Sequence, residues 1–268
     1  MFIDSHCHLN FEDFSTDLEP TITRARAEGI DTFLTICTKL EEAGDILAVA
    51  EKYPYVFASV GVHPHDSGPT LEKFGAEGIR ETLMRFCEEK KIVALGETGL
   101  DYYYDNSDRE SQKDCFRLHL QVALEKNLPL SIHTRDAEED TIKILKEFPG
   151  VRGVIHCFTG TPWLAEEALN LGFYISVSGI VTFKKAESIQ ETIRKVPIHK
   201  LLLETDAPFL APTPLRGKRN EPAFMKHTAE FVAHLKNMSL EELGKRTTEN
   251  FYMLFNKAVR SGDPRNAV

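Results

Sequence analysis

The side chains most able to do chemistry open the chain. His6 and His8 stand two apart in Phe2-Ile3-Asp4-Ser5-His6-Cys7-His8-Leu9-Asn10. On a strand, residues two apart project from one face. Two neutral imidazoles on one face can grip a borderline-soft cation. Cys7 faces the other way and reads as packing. Glu97, His133, His156 and Asp206 are further residues of metal-ligand type, spread over the rest of the chain. Singly, each has an ordinary explanation: a satisfied polar group in the core for either histidine, a helix or turn cap for either carboxylate. Together they have one only if the fold gathers them.

The elements between them follow a rhythm. After the first strand, short β-rich apolar runs cover 31–37, 55–61, 91–96, 129–133, 152–156, 173–177 and 200–206. Helical stretches separate them. Capping boxes at 16–19, 38–41 and 107–110 start three of the helices, which stop near Gly29, Lys52 and Asn127. Others cover 74–89, 137–148 and 184–195, and one opens at Thr161-Pro162, where proline's missing N–H is harmless. A polar loop spans 62–69, and a basic, proline-rich loop spans 207–222. Helices over 223–235, 240–246 and 248–257 close the chain.

Continuous apolar strands such as IVALG are buried on both faces, as in parallel sheets. Eight strand–helix units in a chain of 268 residues predict one α/β domain, 1–268, folded as a (β/α)8 TIM barrel with extra C-terminal helices. An open doubly wound sheet is the alternative, but it would usually carry a glycine-rich phosphate loop after its first strand, and none is present. In such a barrel the active site lies at the C-terminal strand ends. His6 and His8 end the first strand, Glu97 the fourth, His133 the fifth, His156 the sixth and Asp206 the eighth.

That set exceeds what one zinc site takes. A shared carboxylate resolves the excess. Glu97 can bridge two divalent cations about 3.5–4 Å apart, with His6, His8 and Asp206 on the first and His133 and His156 on the second. A water held by such a pair has its pKa lowered from about 15.7 towards 7. Asp206 is then placed to ligate and to orient or deprotonate that water. Histidine-rich ligation favours Zn, Mn, Co or Ni over Mg, although Mg in excess can serve a mixed site.

Composition narrows the class. The net charge is −9, from 32 Lys plus Arg against 41 Asp plus Glu. This argues against a non-specific, whole-surface nucleic-acid binder, but not against a local site with its own cations. No apolar run approaches a membrane span, and no secretory signal opens the chain. Five cysteines without CxxC or ladder spacing read as reduced thiols, hence a cytoplasmic protein. No segment reads as an obligate protein interface.

Several motifs together resemble the TatD-like metal-dependent hydrolases of the amidohydrolase superfamily. They are DSHCHLN (4–10), GVHPH (61–65), GETGLDYYY (96–104), PLSIHTRDA (129–137), HCFTG (156–160), SGIVTF (178–183), LLLETDAPFLAP (201–212) and RGKRNEP (216–222). The resemblance covers nearly the whole chain. It implies a (β/α)8 fold, divalent-metal dependence and, as in several members, a 3′→5′ deoxyribonuclease or related phosphodiesterase activity. The family's ligand positions fall on His6, His8, Glu97, His133, His156 and Asp206.

A phosphodiester also needs donors for its non-bridging oxygens. Arg135 is the first candidate, since guanidinium can hold phosphate bidentately. Arg216, Lys218 and Arg219 in the 207–222 loop come next, and His63, after the third strand, can contact phosphate or a further ion. His65 reads as structural or solvent-facing, and Lys184 and Lys185 are weaker candidates. Tyr102, Tyr103 and Tyr104 can stack on bases or simply pack their loop. The alternative enzyme is an amide or ester hydrolase, of deacylase or lactonase type, on the same two-metal centre. A non-catalytic barrel scaffold is disfavoured by so complete a ligand set.

Overall fold

The computed structural model describes residues 1–260. The apolar runs form β1 (Phe2–Cys7), β2 (Ile30–Thr35), β3 (Val56–Val60), β4 (Ile92–Asp101), β5 (Leu130–Arg135), β6 (Gly153–Ile155), β7 (Tyr174–Val177) and β8 (Leu201–Leu203). Each pairs in parallel with the next in chain order. Closure back to β1 comes just past β8. Asp206 N–H donates to His6 O at 2.9 Å, and His8 N–H donates to Ala207 O at 2.8 Å. The result is the expected (β/α)8 barrel, nearly closed. Its crossover helices are α1 (Leu18–Ala27), α2 (Ala43–Lys52), α3 (Ser67–Phe86), α4 (Arg109–Lys126), α5 (Glu138–Glu147), α6 (Pro162–Asn170) and α7 (Glu187–Lys195), followed by α8 (Met225–Leu235) and α9 (Leu240–Leu254).

Some boundaries depart from the sequence expectation, each for a local reason. α3 starts at Ser67 rather than near 74, and its kink falls at Gly75, whose φ is +66°. The capping boxes at 16–19 and 38–41 do not form. Asp17 makes no cap bond and instead accepts from Arg24 and Arg219, while a 3-10 turn precedes α2. The box at 107–110 does not form either: the cap of α4 is Asp108, accepting from Ser111 N–H, while the Ser107 hydroxyl donates to His65 O. Thr161 caps α6 as expected, accepting from Leu164 N–H. The closing helices expected at 240–246 and 248–257 are one, α9. Thr247 lies inside it, its hydroxyl satisfied by donating back to Leu243 O at 2.9 Å.

Two apolar clusters separate stability from chemistry. The larger lies between barrel and crossover helices. In the second, Ile3, Phe57, Val93 and Leu202 pack against Phe251 and Phe255. Those barrel residues sit early in their strands, so α9 covers the N-terminal end of the barrel. The C-terminal end is left for the site.

One buried histidine sets the path into the site. His119 of α4 is fully buried. Its Nε2 accepts from Val62 N–H at 3.1 Å, so the neutral ring carries its proton on Nδ1 and donates to Cys115 O at 2.7 Å. This bond anchors the segment that delivers His63. Burial pushes the His119 pKa down to about 4. An unfolded histidine titrates near 6.5, so the unfolded chain takes the proton first. Stability is therefore lost as pH falls from about 6.5 to about 4, by roughly 3 kcal/mol from this group. Urea midpoints measured across that range should show the loss in the wild type and lack it in His119→Leu. An equal slope in both would refute the assignment. The variant should also cost about 1–3 kcal/mol at neutral pH, through the orphaned Val62 N–H.

Candidate metal centre

The C-terminal mouth of the barrel gathers the six residues around one carboxylate. β4 runs on past 96, so Glu97 lies within the strand rather than at its end. Gly99, opposite His133 in the β4–β5 register, makes the close approach possible. Its φ is +135°, and a Cβ there would run into the His133 carbonyl oxygen. Glu97 Oε1 lies 2.8 Å from His156 Nε2, 3.1 Å from His133 Nδ1 and 3.4 Å from His63 Nε2. Glu97 Oε2 lies 3.4 Å from His6 Nε2. Across the mouth, Asp206 Oδ1 lies 3.3 Å from His8 Nε2 and 3.6 Å from His6 Nε2.

The ligand-type atoms fall into overlapping triads, each within 4.8 Å: His6, His8 and Glu97; His6, His156 and Asp206; His63, Glu97 and His133. This grouping differs from the division expected above. His156 stacks face to face on His6, with centroids 3.9 Å apart and planes 10° apart, so it also belongs to the first side. His63 joins Glu97 and His133 on the second. Glu97 remains the shared member.

The residues fit a divalent cation on hydrogen-bond grounds alone. His8 Nδ1 faces Ile36 O at 3.3 Å. A carbonyl only accepts, so Nδ1 carries the proton and a neutral ring turns a bare Nε2 towards Asp206. Two acceptors then face each other, an arrangement that a divalent cation would satisfy. His133 is pinned between carboxylates, Nδ1 on Glu97 and Nε2 on Asp101 Oδ2 at 3.1 Å. His6 Nδ1 is 3.1 Å from Ser131 Oγ, while its buried Nε2 has no hydrogen-bond partner. Backbone and hydroxyl contacts thus orient His6 and His8 through Nδ1 and turn Nε2 into the mouth, while Asp101 and Glu204 hold the far nitrogens of His133 and His156.

The electrostatics carry the same deficit of positive charge. Burial alone would strip the proton from every ring. It is overcome at His8, His133 and His156, whose pKa values rise because Asp206, Asp101, Glu97 and Glu204 face them. Burial wins at His6 and His63, which are lowered. Burial also pushes the Glu97 and Asp206 carboxyls up, but the surrounding histidines outweigh it and hold both below the ordinary range.

A cavity of about 790 Å³ opens above the cluster, lined by His8, His63, Glu97, His133, His156 and Asp206 among others. Arg135 lines it too, its guanidinium 3.9 Å over the Tyr103 ring and 4.8 Å over Tyr104. Arg216 and Arg219 do not. Arg219 is drawn to α1 by Asp17, at 2.9 and 2.8 Å, and Arg216 lies on the Phe183 ring at 3.8 Å. His65, expected as structural or solvent-facing, binds Asp101 Oδ2 at 2.8 Å. Of the tyrosines, Tyr102 is tied to Asp140 at 2.7 Å, and Tyr104 lines the cavity.

Two carboxylates were missed by sequence reasoning. Asp101 holds both His65 and His133, and Glu204 lies 3.4 Å from His156 Nδ1 and accepts from Cys157 N–H at 2.7 Å. For Asp101 the signal was strand parity. Asp101 is four residues after Glu97 on β4, so the two share a face; Glu204 lies just past β8, where parity gives no signal.

A parallel barrel with this rim of histidines and carboxylates is a metal-dependent hydrolase. The chain belongs to the TatD related DNase family, whose model matches residues 3–256. It is 42% identical over 257 residues to a Bacillus subtilis protein described as an uncharacterized metal-dependent hydrolase, YabD, covering 95% of this chain and 99% of that one. It is 36% identical to an Erwinia tasmaniensis protein named 3′-5′ ssDNA/RNA exonuclease TatD, covering 94% and 99%. The crystal structure of the TatD homologue YjjV from Escherichia coli superposes with a TM-score of 0.87 at 33% identity, over 95% of this chain and 98% of that one. No helix among the described residues is long and apolar enough to cross a membrane.

Proposed function

We propose that the chain is a phosphodiesterase that trims single-stranded DNA from its 3′ end, with two divalent cations sharing Glu97. The observation that carries this reading is the cavity's charge. Arg135 is the one lysine or arginine among its lining residues, beside a cluster rich in histidine and carboxylate. A phosphate has anionic oxygens for a guanidinium fork, and a neutral amide or ester has none. The stack on Tyr103 and Tyr104 holds that fork in place before substrate arrives. Cations held by His6, His8, Glu97, His133, His156 and Asp206 would supply Lewis-acid stabilisation of the attacking and leaving oxygens and would lower the pKa of the attacking water. Asp206 orients that water and accepts its proton at the carboxylate. Phe11, 4.5 Å from the His8 ring, and the exposed Phe209 offer faces on which a terminal base can stack. The 3′→5′ polarity and the single strand are carried over from the relative named as an exonuclease. Five free thiols suit a reducing cytoplasm.

Arg135→Ala tests the reading. We expect its kcat/KM on a nucleotide diester to fall about 100-fold, with little change on an acyl ester. Activity on the diester should also vanish on chelation and return with added cation. A loss confined to the acyl substrate would favour the amide or ester hydrolase instead.

A further inference from the structure

A second concavity adjoins the catalytic one. It lies between the 3-10 turn at Gly179–Thr182, the start of α7 and the loop after β8. Its volume is about 450 Å³, and Ile180 lines both cavities, so the two share a wall. The loop before α7 is longer than the sequence predicted, since α7 begins at Glu187 rather than 184. That leaves Phe183, Lys184 and Lys185 in the groove, where Arg216 faces them and Thr213 adds a hydroxyl.

The charge here is unusual for this chain. The protein carries net −9, and many of its cations are quenched by ion pairs, Arg24, Arg80, Arg117 and Arg219 among them. Lys184, Lys185 and Arg216 are exposed, and no ion pair holds any of them among the described residues. The groove's lining includes no Asp or Glu. The Arg216 guanidinium sits 3.8 Å over the Phe183 ring, which makes a composite aromatic and guanidinium face. Unpaired cations beside a stacking face are what a single-stranded polynucleotide needs, phosphates along the cations and a base on the ring.

We propose that this groove holds the part of a nucleic-acid strand that is not being cut, extending the catalytic cavity past Ile180. The proposal rests on the phosphodiesterase reading, and it adds a specific consequence: the enzyme should prefer long strands to short ones. Lys184 and Lys185 would engage phosphates, and Arg216 with Phe183 would stack a base.

The test is Lys184→Ala/Lys185→Ala in the metal-loaded protein, with Arg216→Ala added as a second variant. For a long single strand, KM should rise on the order of tenfold, and the salt slope of binding should fall by about 1.4, or 0.7 per phosphate contact. Turnover of a dinucleotide and of bis(p-nitrophenyl) phosphate should be unchanged in the lysine variant, because neither reaches the groove. Arg216→Ala should deepen the loss on the long strand. An unchanged KM and salt slope for the long strand would overturn the proposal, and so would an equal loss on the dinucleotide. Strand binding is also read directly by fluorescence anisotropy. A wild-type chain that bound strands through these residues yet cleaved no diester would sink the hydrolytic reading and leave the groove standing.

Discussion

Glu97→Gln should lower kcat/KM on a phosphodiester by on the order of a thousandfold and reduce the metal bound per chain. Glutamine keeps the volume and one carbonyl oxygen, so packing of the strand is preserved. It removes the negative charge and replaces one acceptor by an amide donor. Glu97 Oε1 serves His133, His156 and His63 at once, and Oε2 faces His6. An NH2 in either position would point hydrogens at rings already oriented to present lone pairs. Both halves of the cluster should therefore weaken together. By contrast, replacing His6 and His8 should empty one side and spare the other. Metal analysis after desalting, set beside steady-state rates, checks this. Full activity or full metal content in Glu97→Gln would refute the shared-carboxylate account.

The barrel was legible in the sequence because its signals are local and repeated. Runs such as those at β4 and β8 are apolar without alternation, and a cap such as Thr161 before Pro162 is read within a few residues. What misled was also local. The apolar run stops at Gly96, which put Glu97 at the strand end, yet Gly99 lets β4 approach β5 closely and the strand continues to Asp101. The site was legible as a list of ligand-type residues, because each falls at or near the end of a strand and the fold class says where those ends meet. Its wiring was not legible. The stack of His156 on His6 and the placing of His63 beside Glu97 depend on how rings pack across the barrel. The same limit governs the arginines. Nothing near Arg219 in sequence shows that Asp17, about two hundred positions earlier, will take it out of the rim. The missed Asp101 was readable in principle from parity along β4, but Glu204 lies past β8, and a lone carboxylate near a strand end has too many ordinary uses to be singled out.

Asp206→Asn should separate ligation from proton transfer. The residue sits three positions past β8 with φ +57°, a left-handed conformation uncommon for a non-glycine side chain. It is locked there by its own N–H on His6 O and by the Phe209 N–H on its carbonyl, both at 2.9 Å. Asparagine tolerates the same backbone conformation, so the loop should keep its shape. Both histidine contacts of the side chain run to Oδ1, and an asparagine rotamer can keep a carbonyl oxygen in that place. The neutral amide cannot take a proton from water. If Asp206 is the general base, kcat should fall by about 10²–10⁴ while much of the metal is retained. The acidic limb of the kcat/KM profile should move or disappear with it, because the carboxylate whose pKa the neighbouring histidines depress is gone. Loss of metal in proportion to the loss of rate would make Asp206 chiefly a ligand. Wild-type kcat with an unaltered acidic limb would remove it from the proton-transfer step altogether.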